Sequence, residues 1–153
     1  MEFANNPSNY FLNKSTYVNL RWIGIFGQFL TINIVAFVLE FEFNYFLSNS
    51  IVILGALSNI FLIFYNKDTQ LSNSISFYYL LADIIQLSLL LYLTGGILNP
   101  FSVFLIIPSI FASSNLNIKT NLILILITII SISLLTLYHH DLPIPLNDYK
   151  LSN

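Results

Sequence analysis

Five apolar runs separated by short polar connectors set the pattern of this chain, at 20–39, 45–64, 74–93, 100–113 and 120–138. About 20 apolar residues rising 1.5 Å each cross a hydrocarbon core about 30 Å thick, so the pattern predicts an all-α, polytopic membrane bundle of five transmembrane helices. The fourth run is short for a crossing and is interrupted by Pro108. Residues 1–19 read as a polar, Asn-rich tail, partly helical near Lys14, without the basic start and apolar core of a signal peptide. Residues 139–153 read as a second polar tail, and no internal repeat or soluble domain is evident.

Polar residues inside the runs are few. Arg21 and Trp22 open the first run as interface anchors would. Gly24, Gly27, Gln28 and Thr31 then make a small, polar face suited to close helix packing. Gly55 and Asn59 share one side of the second run, and Glu40 and Glu42 lie in the loop before it. Asp83 sits near the middle of the third, where a carboxylate costs about 2.5–3.5 kcal/mol on insertion scales and is a functional candidate by default. Tyr79 and Gln86 share its face. Asp83 and Gln86 are therefore candidates for proton or signal coupling, against the plainer reading of a protonated or paired acid that holds helices together.

Composition supports the membrane class and removes others. The chain is 56% hydrophobic and 8% charged with a mean hydropathy of +0.78, where soluble domains carry roughly 25% charged residues. No cysteine is present, which excludes disulfides, thiolate metal sites and thiol redox switching. A scattered net charge of −2 makes nucleic acid an improbable partner. His139 and His140 point to different helix faces and have no evident co-ligands, so no metal site is expected. The run from His140 to Leu146 superficially resembles a phosphoacceptor box, but Pro143 and Pro145 would break the helix that box needs.

Five alternating spans place the N-terminus, the Lys67 loop and the loop at 115–119 on one side. That side holds Lys14, Arg21, Lys67 and Lys119, which makes it cytoplasmic by the positive-inside rule.

The connector between the third and fourth runs, Thr94-Gly95-Gly96-Ile97-Leu98-Asn99-Pro100-Phe101, differs from the rest. Gly95 suits a helix C′ position, Asn99 an N-cap and Pro100 the following N1 position, so a tight turn explains most of it. A ligand reading adds Phe101 as a stacking surface, Thr94 or Asn99 as hydrogen-bond donors, and the free N–H groups opening the fourth helix as donors to a carbonyl. A membrane-soluble quinone has the matching chemistry.

The segment from Leu91 to Phe101 resembles the GGxxNPF signature of the RegB/PrrB/ActS family of redox-responsive sensor histidine kinases. Leu20-Arg21-Trp22 with Gly27-Gln28 is similar to that family's first-helix opening, and Asp83, Gln86-Leu87 and Pro108 fit as well. The resemblance covers most of residues 16–146. It implies a homodimeric six-span sensor of the bacterial inner membrane, followed by a phosphoacceptor helix pair and an ATP-binding domain that phosphorylates a response regulator. It also implies that Gly95, Gly96, Asn99, Pro100 and Phe101 bind ubiquinone or a related membrane quinone. A sixth span, the phosphoacceptor, the ATP-binding motifs and the family's redox cysteine are not in this sequence. The expectation is therefore a sensor input half, non-catalytic by itself, with an N-terminal tail at 1–19, a membrane domain at 20–138 and an extracytoplasmic tail at 139–153. The alternative is a small transporter-like membrane protein that uses Asp83 for ion coupling.

Overall fold

A computed structural model describes residues 12–138; the N-terminal tail up to residue 11, His139, His140 and the proline-containing tail lie outside the described residues. Four long helices dominate: α1 (Lys14–Phe37), α2 (Tyr45–Tyr65), α3 (Asn73–Leu93) and α5 (Ile118–Leu137), with a short α4 (Ile107–Asn115) between the last two. All four long helices are long and apolar enough to cross a membrane. Each starts on a polar cap. Asn13, Asn44, Ser72 and Asn117 accept from the backbone N–H of Thr16, Leu47, Ile75 and Thr120 respectively, satisfying a donor that has no intrahelical partner. Three of the four caps are asparagines, while Asn33, Asn49 and Asn59 lie within α1 and α2.

The packing is that of a membrane bundle. Polar side chains lie inside, with Arg21, Ser48, Asn59, Ser76, Ser109 and Thr128 all buried. Large apolar side chains such as Ile23, Phe26, Phe46, Leu54, Phe64 and Ile110 face outward. Polar pairs cross between helices: Asn33 Nδ2 donates to Asn49 Oδ1 at 3.1 Å, and the Ser109 and Thr128 hydroxyls meet at 2.8 Å.

One end of the bundle is well defined. Leu12–Asn13 (β1) pairs antiparallel with Gln70–Leu71 (β2), matching Leu12 to Leu71 and Asn13 to Gln70. The Lys14 ammonium donates to the Ile63 carbonyl at 2.8 Å and also to that of Asn66. Asn73 donates to the Thr120 hydroxyl at 2.8 Å and accepts from the Asn117 N–H at 3.0 Å. The N-terminal segment, the α2–α3 loop and the α4–α5 loop therefore meet at this end. The α1–α2 loop and the turn after α3 form the other.

Two expectations about the spans change. The first helix begins at Lys14 rather than residue 20, which places Arg21 two turns inside it. The fourth run is not one α-helix: Pro100–Ile106 is 3₁₀ and only Ile107–Asn115 is α-helical. Pro108 gives the reason. Its ring would clash with the Phe104 carbonyl and it has no N–H to donate, so an α-helix cannot run through from residue 100. The 3₁₀ stretch also lengthens the segment. Seven residues at about 2.0 Å and nine at about 1.5 Å reach about 27 Å, against about 24 Å for an α-helix of the same length.

Candidate functional site: a cavity with a charged floor

A cavity of about 860 Å³ opens between α1, α3 and the 3₁₀–α4 segment, within the size range of small-molecule sites. The helix starts define its lower end, where Tyr17, Arg21 and Asp83 form a floor. Gln28 and Gln86 line its middle, and Thr94, Asn99, Pro100 and Phe101 line its far end. The remaining lining is largely apolar, including Leu87, Leu90, Phe104 and Phe111.

At the floor, the Arg21 guanidinium donates to Asp83 Oδ1 at 2.9 Å, and the Tyr17 hydroxyl donates to Asp83 Oδ2 at 2.5 Å. The guanidinium also reaches Ser58 Oγ at 3.2 Å and Asn59 Oδ1 at 3.4 Å, while Asn59 Nδ2 donates to the Val18 carbonyl at 3.2 Å. The Tyr17 and Tyr79 rings lie 5.6 and 5.5 Å from the guanidinium carbon. Arg21 is only 7% exposed, so it is the buried counter-charge of Asp83 rather than an interface anchor. The sequence held the signal: Arg21 and Asp83 are the two charges carried inside the apolar runs, and each requires a partner.

In the middle, Gln86 Nε2 donates to Gln28 Oε1 at 3.0 Å, linking α3 to α1. The Gln86 amide lies directly on Gly55 of α2, where an added Cβ would collide with it. Gly55 therefore matters for this one approach. Gly24 and Gly27 do not pack as expected. An added Cβ at either meets nothing within 4 Å, and both residues line the cavity instead of seating a helix.

At the far end the turn is formed as its residues predict. Gly95 adopts φ 110° and Gly96 φ 61°, conformations that suit glycine. Asn99 caps the 3₁₀ segment, accepting from the Phe101 N–H at 2.9 Å. Its amide donates to the Thr94 carbonyl at 3.0 Å and the Thr94 hydroxyl at 2.8 Å. The Thr94 hydroxyl in turn donates to the Leu90 carbonyl at 2.9 Å, and the Ser102 N–H is bonded to the Asn99 carbonyl at 2.9 Å. The donors expected to meet a ligand here are thus taken up by the turn. Asn99, Pro100 and Phe101 line the cavity, whereas Gly95 and Gly96 shape the turn without lining it. Three-residue periodicity sets Phe101 beside Phe104, their centroids 5.7 Å apart and their planes tilted by 37°, to give an aromatic wall. Tyr17 stacks on Phe111 at 6.1 Å where that wall meets the floor.

Fold and cavity define a polytopic α-helical membrane protein with a ligand-sized, mostly apolar chamber built over a buried ion pair. Among known proteins, the chain is 32% identical over 136 residues to the sensor histidine kinase RegB of Cereibacter sphaeroides, covering 87% of this chain and 29% of that protein. The chain belongs to the RegB sensor histidine kinase family and corresponds to its membrane sensor region. It spans less than a third of the length of that relative. No family model matches the chain. No solved structure matches it either. Its four apolar helices and this relative make it a multi-pass protein of the bacterial inner membrane.

Proposed function

We propose that the chain is the membrane input domain of a two-component sensor histidine kinase and that it responds to a membrane quinone bound in the α1–α3–α4 cavity. The observation that carries this reading is the cavity itself. A flat ring fits against the Phe101–Phe104 wall, an isoprenoid-type tail fits its apolar lining, and the glutamine amides offer polar contacts. A quinone would supply a two-electron redox state that the cysteine-free chain cannot supply itself. The chain's residues bind and report. Arg21–Asp83 and Gln28–Gln86 both bridge α1 to α3, so a group wedged between these helices bears on two polar links at once. Homodimerisation and phosphotransfer to a response regulator belong to the same proposal, through a kinase core not contained in this sequence.

Trp22, the single tryptophan, follows Arg21 on α1 between the cavity-lining Arg21 and Ile23 and provides a fluorescence probe. Titrating the purified protein in nanodiscs with decylubiquinone is expected to quench it saturably. Phe101→Ala is expected to weaken binding about tenfold, the loss of about 1.4 kcal/mol of stacking and burial. Binding unchanged by both Phe101→Ala and Phe104→Ala would remove the quinone assignment.

The proposed topology has five crossings with a cytoplasmic N-terminus, the 3₁₀–α4 segment being the fourth. Its support is the meeting of three connectors at the Lys14 end and the roughly 27 Å reach of that segment. Single cysteines in this cysteine-free background test it. Lys67→Cys and Lys119→Cys are expected to be shielded from a membrane-impermeant maleimide in intact cells, and Glu42→Cys to be labelled. Labelling of Lys119→Cys from outside would reduce the crossings to four.

A further inference from the structure

We infer that the Gln28–Gln86 amide pair, and not Asn99, receives the polar edge of the bound ring, and that it distinguishes the oxidised from the reduced form of a 1,4-quinone. The inference rests on the quinone reading above and adds where the ring's oxygen sits. Three observations converge on it. The turn spends both Asn99 amide donors and the Thr94 hydroxyl on itself, so the far end of the cavity has no side-chain donor to give at those residues. The Gln86–Gln28 bond uses one donor and one acceptor; Gln28 Nε2 and Gln86 Oε1 make no other hydrogen bond among the described residues. Unspent amide groups beside an apolar chamber are costly to leave without a partner, which favours a ligand that supplies one. Finally, Gln86 is held rather than free. Its amide lies against Gly55, where an added Cβ would have to push it aside.

Gln86 lies eight residues before Thr94, about 12 Å along α3, so a ring at the pair is a different placement from a ring at the Asn99 turn. The amides act in opposite senses. Gln28 Nε2 donates to a ring carbonyl, which only accepts. Gln86 Oε1 accepts from a ring hydroxyl, which the reduced form alone can donate. The Gln28 Oε1–Gln86 Nε2 bond stays in place in both cases. A change of ligand redox state therefore moves the load from α1 to α3, across the same two helices that Arg21 and Asp83 tie together.

The test measures binding by Trp22 quenching in nanodiscs, with decylubiquinone and decylubiquinol titrated separately against wild type, Gln28→Leu, Gln86→Leu and Gly55→Ala. Gln28→Leu is expected to weaken the oxidised form about tenfold and the reduced form less, while Gln86→Leu does the reverse, so the ratio of the two affinities moves in opposite directions. Gly55→Ala keeps both amides but displaces Gln86, and is expected to shift the ratio as Gln86→Leu does with the protein still folded by its melting curve. Wild-type affinities for both forms in all three variants, alongside weakened binding in Phe101→Ala, would overturn the amide assignment and leave the quinone reading standing. No binding of either form to wild type would overturn both.

Discussion

Asp83→Leu is expected to cost the folded protein about 3–5 kcal/mol, the range for removing one partner of a buried ion pair. The size follows from what is left behind. Arg21 is 7% exposed and two turns inside a membrane helix, and without Asp83 its remaining partners, Ser58 and Asn59, are neutral. Interhelical hydrogen bonds between uncharged side chains in membranes average only about 0.6 kcal/mol, so Asn33–Asn49 and Ser109–Thr128 cannot compensate. The paired change Arg21→Leu/Asp83→Leu is expected to recover most of the loss, because replacing a whole buried pair by apolar groups is often neutral. Tyr17→Phe, which removes one bond to the carboxylate and leaves the ion pair, is expected to cost about 1.5–3 kcal/mol. Unfolding of wild type, Arg21→Leu, Asp83→Leu and the double variant in mixed detergent micelles gives the cycle directly. A single-mutant loss below about 1 kcal/mol, the ordinary worth of an exposed pair, would mean that Arg21 and Asp83 are solvated and not a buried floor.

If the double variant is as stable as expected, stability is not what the pair supplies. Its place suggests what is. α1 packs chiefly against α2, and the cavity separates much of it from α3. Polar links span that separation, Tyr17–Asp83 and Arg21–Asp83 at the floor and Gln28–Gln86 in the middle. They hold α1 in register beside an open chamber where apolar packing would otherwise draw the helices together. The double variant is thus expected to fold yet lose the chamber, which decylubiquinone binding would register.

Much of this was legible in the sequence, and the misses share a cause. The second, third and fifth helices fall within two residues of their apolar runs, because hydropathy marks the stretches that must be helical in lipid. The Gly95–Pro100 turn was equally plain, since each residue has its own conformational preference. The start of α1 differs from its apolar run because a charge such as Arg21 marks a boundary by hydropathy, whereas a buried acid elsewhere in the chain allows it to lie inside. Gly24 and Gly27 have the composition of a packing face but line the cavity instead. Composition says that a neighbour can approach such a face, and only the arrangement of helices says whether one does. The 3₁₀ form of the fourth run was half visible in Pro108, but the rest depended on how far the segment reaches.

Asn99→Ala is expected to destabilise the protein by about 2–3 kcal/mol and to weaken decylubiquinone binding as well, and the second effect will follow from the first. Asn99 makes three bonds within the turn: one that caps the 3₁₀ segment, worth about 0.5–2 kcal/mol, and two donated to Thr94, worth about 0.5–1.5 kcal/mol each in ordinary contexts. Because the three act on one short turn, their losses overlap, which sets the total below their sum. Without them Phe101 loses the start of the segment that sets it beside Phe104, so the aromatic wall loosens with no ligand contact by Asn99 required. A binding defect in this variant alone would therefore be misread as a contact. Asn99→Asp separates the possibilities. It keeps a side-chain oxygen to cap the Phe101 N–H and abolishes both amide donors, so a turn role predicts partial retention of stability and binding in step with each other. A ligand-donor role predicts near-native stability with binding lost as fully as in Asn99→Ala. Melting curves and Trp22 quenching on the two variants decide between them, and the bonds already made by Asn99 favour the first outcome.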